Sequence, residues 1–176
     1  MRFSSGKDFA NWPQKAVTIF GMSGVGKTTL AQLLQESGWF HYSVDYRIGT
    51  RYMGEYIADM FKREAMKQPV LRELLLSDSV YIASNITFSN LAPLSTYLGK
   101  PGDPAKGGLP IAEYVKRQEQ HREAEIAASL DTARFTDRAE DQYGYRDFIC
   151  HTSRSIVEGV AADHPDAPVM QPLADS

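Results

Sequence analysis

Gly21-Met22-Ser23-Gly24-Val25-Gly26-Lys27-Thr28-Thr29 fits the pattern G-x-x-x-x-G-K-[ST]. No other stretch of the chain narrows its possible folds as much. Glycines at these spacings let backbone N–H groups converge on one point without Cβ clashes, which is what cradling a polyphosphate requires. The spacing gives Lys27 the place of a cation for the β- and γ-phosphates and gives the Thr28 hydroxyl the place of a Mg²⁺ ligand. The pattern has meaning only between a strand and a helix. Ala16-Val17-Thr18-Ile19-Phe20 is a continuous apolar, β-rich run before it, as a strand buried on both faces should be. Leu30, Leu33 and Leu34 follow at helical spacing, and Gly38 stands where that helix should stop. The positive end of the helix would then face the anion.

With 176 residues, 43% hydrophobic and 23% charged, the chain has the size and composition of one globular domain. Its net charge of −3 provides no basic field to draw it to nucleic acid or to a membrane surface. One cysteine, Cys150, excludes an internal disulfide and fits a reducing compartment. No apolar run reaches the length of a membrane span, and residues 1–14 lack the apolar centre of a signal peptide. The expectation is therefore a cytoplasmic protein.

Further elements follow from periodicity. After a polar lead-in (1–15), His41-Tyr42-Ser43-Val44-Asp45 reads as a second strand ending in an acid. Met53, Ile57, Met60 and Phe61 line one stripe of a helix reaching about Met66, and Pro69 opens another with Val70, Leu71, Leu74 and Leu75 inward. Val80-Tyr81-Ile82-Ala83-Ser84 reads as a third strand. In 85–110, four prolines and four glycines predict a short helix capped by Asn90, then a mobile loop from Lys100 to Leu109. Pro110 suits the start of a long helix to about Leu130, whose polar centre, Lys116 to Glu125, is either solvated or covers a partner. Residues 131–146 are charged and turn-rich. Asp147-Phe148-Ile149-Cys150-His151 reads as a fourth strand, with a short helix over 155–161. The expected fold is a three-layer α/β/α sandwich on a parallel sheet of four to five strands, in one domain over 1–162, with a flexible tail over 163–176.

In parallel sheets, ligands bind beyond the carboxyl ends of the strands. That rule selects Asp45, Ser84, Asn85 and the group His151-Thr152-Ser153-Arg154. The glycine-rich stretch resembles the kinase branch of P-loop nucleotide-binding proteins, especially shikimate kinases and nucleoside monophosphate kinases. The stretch Asp45-Tyr46-Arg47-Ile48-Gly49-Thr50-Arg51, followed by Ile57-Ala58-Asp59-Met60-Phe61, is similar to the shikimate-kinase segment in which an acid after the second strand leads into a helix. The resemblance covers about residues 16–84. It implies ATP and Mg²⁺ as cofactors, held by Gly21, Ser23, Gly24, Val25, Gly26, Lys27, Thr28 and Thr29. It implies that Asp45 steers the metal or accepts the acceptor's proton, in chemistry that depends mainly on positioning and charge stabilisation. Arg47 and Arg51 would grip a small anionic acceptor, since guanidinium forks match carboxylate and phosphate. Their segment is basic, with six Lys or Arg against four acids over 41–72.

The chain departs from the family at several points. No acid ends Val80–Ser84, so Ser84 takes the metal-side position in this reading, and the glycine run that follows in shikimate kinases is absent. The lid arginine has no clear motif among Arg122, Arg134 and Arg138. His151 is a structural residue or a site residue. No N-K-x-D guanine motif occurs. The expected function is an ATP-dependent phosphotransferase. The alternative is a P-loop ATPase or nucleotide-dependent switch engaging a protein partner through 99–130.

Overall fold

The computed structural model describes residues 4–22 and 24–152. The expected helix over 155–161, the tail over 163–176, and Ser23, Ser153 and Arg154 lie outside the described residues. The chain divides into two compact units, residues 1–44 with 126–176, and residues 45–125.

The first unit is built on a small open parallel sheet of three strands: β1 (Ala16–Ile19), β2 (Phe40–Ser43) and β3 (Phe148–His151), in the order β1-β3-β2. A short helix α1 (Gly6–Ala10), capped by the Ser5 hydroxyl, stands in the polar lead-in. β3 is central, with all four residues buried, and it pairs Phe148 with Ala16 on one side and with Phe40 on the other. Asp147 aligns the strand starts. Its carboxylate accepts from Lys15 N–H at 2.9 Å, and its carbonyl accepts from Phe40 N–H at 2.8 Å. Helix α2 (Lys27–Glu36) packs on one face of β2 and β3, where Gln35 reaches His41. The opposite face carries Phe40, Tyr42 and Phe148. Against it lies Phe135, from the last half of a 31-residue helix, α7 in the chain order given below (Ile111–Asp141). The Tyr42 hydroxyl donates to the Ala128 carbonyl at 2.7 Å.

The long helix does not stop near Leu130 as its composition predicts. Ala128 and Ala139 are fully buried in the first unit, and this tertiary burial outweighs the weak helix propensity of the intervening Thr and Asp residues. Alternation shows at β1, whose residues are exposed and half-buried in turn, so one of its faces is left open and the expected burial on both faces is not met.

The second unit is helical among its described residues. It holds α3 (Val44–Arg47), a π-helical turn (Ile48–Tyr52), α4 (Gly54–Ala65), α5 (Pro69–Leu76), α6 (Ala92–Leu98) and the first half of α7. Val44, the first residue of α3, belongs to the first unit. Ile48, Met53, Ile57, Ile86, Leu94 and Tyr97 form the core of this unit. Gly49 lies against this core, where a Cβ would meet Ile86 Cδ1 at 2.9 Å and the isoleucine would have to shift.

Val80–Ser84 and α5 depart from expectation in this unit. Val80–Ser84 is not a strand. It is an irregular segment with no ladder partner among the described residues, with Tyr81 88% exposed and only Ile82, Ser84 and then Ile86 turned inward. An alternating run without a neighbouring strand to bond cannot become one. Helix α5 buries no residue. Val70 and Leu71 face outward, and Leu74 and Leu75 are half-buried. The segment 100–109 is tied by Gly102 N–H to Leu109 O at 2.9 Å and by Leu109 N–H to Lys100 O at 2.8 Å, around a 3₁₀ turn at Pro104–Lys106. Asn90 stands one residue before the cap of α6, and its side-chain oxygen accepts from Ala92 N–H.

Candidate functional site

The Gly21–Thr29 loop leaves β1 and enters α2 as the sequence requires. Gly24 and Gly26 hold φ of +83° and +87°, a backbone region that side chains with a Cβ rarely enter. Gly26 caps α2 without any side-chain hydrogen bond. The first-turn amides of Lys27, Thr28 and Thr29 have no intrahelical acceptor by the geometry of a helix start. The first helical bond runs from Leu30 N–H to Gly26 O at 2.9 Å. Uncapped amides at a helix N-terminus are a site for an anion.

Lys27 is 9% exposed, and its ammonium donates to the Gly21 carbonyl at 2.7 Å and to the Met22 carbonyl at 2.8 Å. The loop therefore curls around its own lysine. The cation is held among the amides that would meet a phosphate, so a polyphosphate entering the loop would exchange these two carbonyls for its own oxygens. Thr28 is half-buried at the first turn of α2. The donor set suits a magnesium–nucleotide: amides and an ammonium for the phosphates, and one hydroxyl for a hard cation that keeps most of its waters. Among the described residues no group of three or more His, Cys, Asp or Glu gathers as a protein-only metal site.

The strand beside β1 is β3, not Val80–Ser84. The position next to the loop strand thus belongs to His151 and Thr152, and Ser84 sits outside the sheet in the second unit. His151 pairs in register with Ile19, and Thr152 N–H donates to the Ile19 carbonyl at 3.1 Å. Both His151 and Thr152 are almost wholly buried. His41 Nε2 lies 2.9 Å from His151 Nδ1, and His41 Nδ1 lies 2.9 Å from Gln35 Oε1. Since the Gln35 oxygen only accepts, His41 donates from Nδ1 and accepts at Nε2, and His151 donates from Nδ1. Burial first, then His41, then the Lys27 cation push the His151 imidazole down to about 4. Burial also lowers His41. Both rings are therefore neutral near pH 7. The sequence flagged His151 but not His41 or Gln35, whose importance depends on strand order.

Of the remaining candidates, Asp45, Arg47, Arg51 and Arg122 lie in the second unit, and Arg134 and Arg138 in the first. Asp45 is in the first turn of α3, not at a strand end, because β2 closes at Ser43. Burial lowers the His121 imidazole of α7, and the Asp45 charge offsets part of that shift. Arg47 lies over the Tyr52 ring at 5.8 Å, and Arg51 is exposed on the π-helical turn. Of the arginines considered for a lid, Arg122 faces Glu119 at 3.9 Å. Arg138 is spread over Phe135 at 5.2 Å and donates to Gln142, while Arg134 is exposed.

Against known proteins, the chain matches no family model, no curated protein sequence and no solved structure. Among the described residues no helix is long and apolar enough to cross a membrane.

Proposed function

We propose that the chain is an ATP-binding P-loop protein that transfers the γ-phosphoryl group of ATP to a small anionic acceptor. The observation that carries this reading is the loop itself: an uncapped helix start, two left-handed glycines, and a buried Lys27 held by loop carbonyls. In it, amides from Gly24 to Thr29 and the Lys27 ammonium neutralise the phosphates, and Thr28 ligates Mg²⁺. Arg47 and Arg51, one helical turn apart in the segment after β2, bind the acceptor's anionic group. Asp45 orients the acceptor or the metal's water. The parallel sheet with β3 beside the loop strand supports a P-loop fold. The nucleotide would be ATP, in a cytoplasmic setting.

A second reading, a nucleotide-dependent switch acting on a protein partner, is favoured by one specific observation. Met22 and Val25 of the loop, with Phe20 before it and Leu30 and Leu33 after it, are each about half or more exposed. Apolar side chains gathered at a nucleotide loop are a natural contact for a partner.

Calorimetry with Mg²⁺ and a non-hydrolysable ATP analogue tests the common part. Saturable heat that disappears in Lys27→Ala is expected, and its absence in the unaltered chain sinks both readings. Turnover across a panel of hydroxy acids, nucleosides and nucleotides separates them. The kinase reading requires one compound to raise ATP consumption sharply and Asp45→Asn to abolish the rise. The switch reading requires different partner affinity with ATP and ADP.

A further inference from the structure

The second unit contains a cleft of ≈ 640 Å³ between α4, α6 and α7 that the nucleotide reading does not use. Its walls are the polar faces of two helices. Tyr56, Asp59, Lys62 and Arg63 line it from α4, with Met66 just past the helix end, and Glu113, Lys116 and Gln120 line it from α7. Each face read from sequence is a solvated one. Their meeting across an open cleft needs a different account.

The floor is rigid. Arg117 is 9% exposed, and its guanidinium donates to Glu113 Oε1 at 2.8 Å and to the Tyr97 carbonyl at 2.5 Å, while lying 4.7 Å over the Tyr97 ring. The Tyr97 hydroxyl donates to Gln120 at 2.7 Å, and the Tyr56 ring stacks at 6.3 Å from Tyr97. Tyr56 remains 46% exposed, so one aromatic surface is fixed from below and open above.

The charges are unequally committed. Glu113 is taken by Arg117, and Asp59 is 3.4 Å from Lys62. Among the described residues neither Arg63 nor Lys116 forms an ion pair, and Arg63 Nε donates to the Asp59 carbonyl of its own helix. Two cations that form no ion pair, although Glu113 interacts electrostatically with both, therefore flank an exposed ring. That combination recognises a flat apolar body carrying a negative group.

We propose that this cleft binds a small planar anion, an aromatic phosphate or carboxylate, with its ring on Tyr56 and its anionic group between Arg63 and Lys116. The site is independent of the glycine-rich loop, so the test uses the full chain carrying Lys27→Ala, in which loop binding is weakened. Phenyl phosphate is titrated by amide NMR, with inorganic phosphate and phenol as separate arms. Saturable shifts confined to α4, α6 and α7 are expected. Phosphate alone and phenol alone should each bind at least about tenfold more weakly, since each keeps only one of two recognition elements. Arg63→Glu with Lys116→Glu, both on exposed positions, should weaken phenyl phosphate at least about tenfold at unchanged melting temperature. Tyr56→Ala should weaken phenyl phosphate while leaving the weak response to phosphate in place. No saturation, shifts elsewhere in the chain, equal affinity for phosphate, or affinity indifferent to the charge reversals would each overturn the proposal. Loss of Mg–nucleotide binding in the unaltered chain would sink the loop reading and leave this one standing.

Discussion

His41 and His151 share one hydrogen bond of 2.9 Å across adjacent parallel strands, although 110 positions separate them in the chain. The contact is diagonal. His41 is opposite Ile149, and His151 is two residues further on, so both rings point to the face covered by α2. The pair is neutral and buried within reach of the Lys27 charge, which ties the electrostatics of the loop to the integrity of the sheet.

Stability should fall on mild acidification. The ordinary histidine value is 6.5, and the folded His151 value is about 4. Between them the unfolded chain binds more protons than the folded one, so unfolding free energy decreases as pH drops. Full stability from this group is present above about 6.5 and is lost progressively as pH falls through that window to about 4; His41, lowered in the same direction, adds to the slope. Melting temperatures of the unaltered chain and of His151→Gln measured from pH 7.5 to 4.5 check this. A substantially flatter profile is expected in the variant.

Lys27→Ala should leave the fold close to intact while removing nucleotide affinity. The ammonium makes two hydrogen bonds, both to carbonyls of its own loop, and joins no ion pair among the described residues. Loss of charge-assisted bonds to phosphate, at about 1.5–3 kcal/mol each, predicts at least about tenfold weaker binding. Calorimetry reads the affinity and thermal melting reads the fold.

Arg117→Met should destabilise the second unit by about 2–3 kcal/mol, through loss of hydrogen bonds from a charged donor. The guanidinium is the donor for both Glu113 and the Tyr97 carbonyl, and its side chain is only 11% exposed. Half-exposed Glu113 can regain water, which limits the loss. Urea unfolding measures it, and a double cycle with Glu113→Gln should show coupling between the two sites.

Gly49→Ala should cost about 1–3 kcal/mol, because the added methyl meets Ile86 Cδ1 at 2.9 Å in a packed core. Ile86→Val removes that carbon. In the Ile86→Val background the cost of Gly49→Ala should therefore shrink, and equal cost in both backgrounds, by denaturant unfolding, would contradict the packing account.

What was legible in the chain was local. The run Ala16–Phe20, the loop glycines and the leucines after Lys27 each carry their own signal, and β1, the loop and α2 stand where that signal puts them. Phe148–His151 was readable as a strand because four residues buried on both faces leave a continuous apolar record. Val80–Ser84 carries the same local signal and is not a strand, since a strand exists only through a neighbour, and neighbours are not written locally. The start of the long helix was visible at Pro110. Its end was not, because Ala128 and Ala139 gain their burial from strands distant in sequence.

The sequence by itself determined that a glycine-rich turn with a lysine would join a strand to a helix, since backbone freedom at Gly24 and Gly26 and apolar spacing act within a few residues. Only the tertiary structure decided which strand lies beside that turn, that two histidines meet behind it, and that the polar faces of α4 and α7 enclose a cleft. Those outcomes depend on strand order and helix packing, where the deciding free energies belong to pairs of residues far apart in the chain.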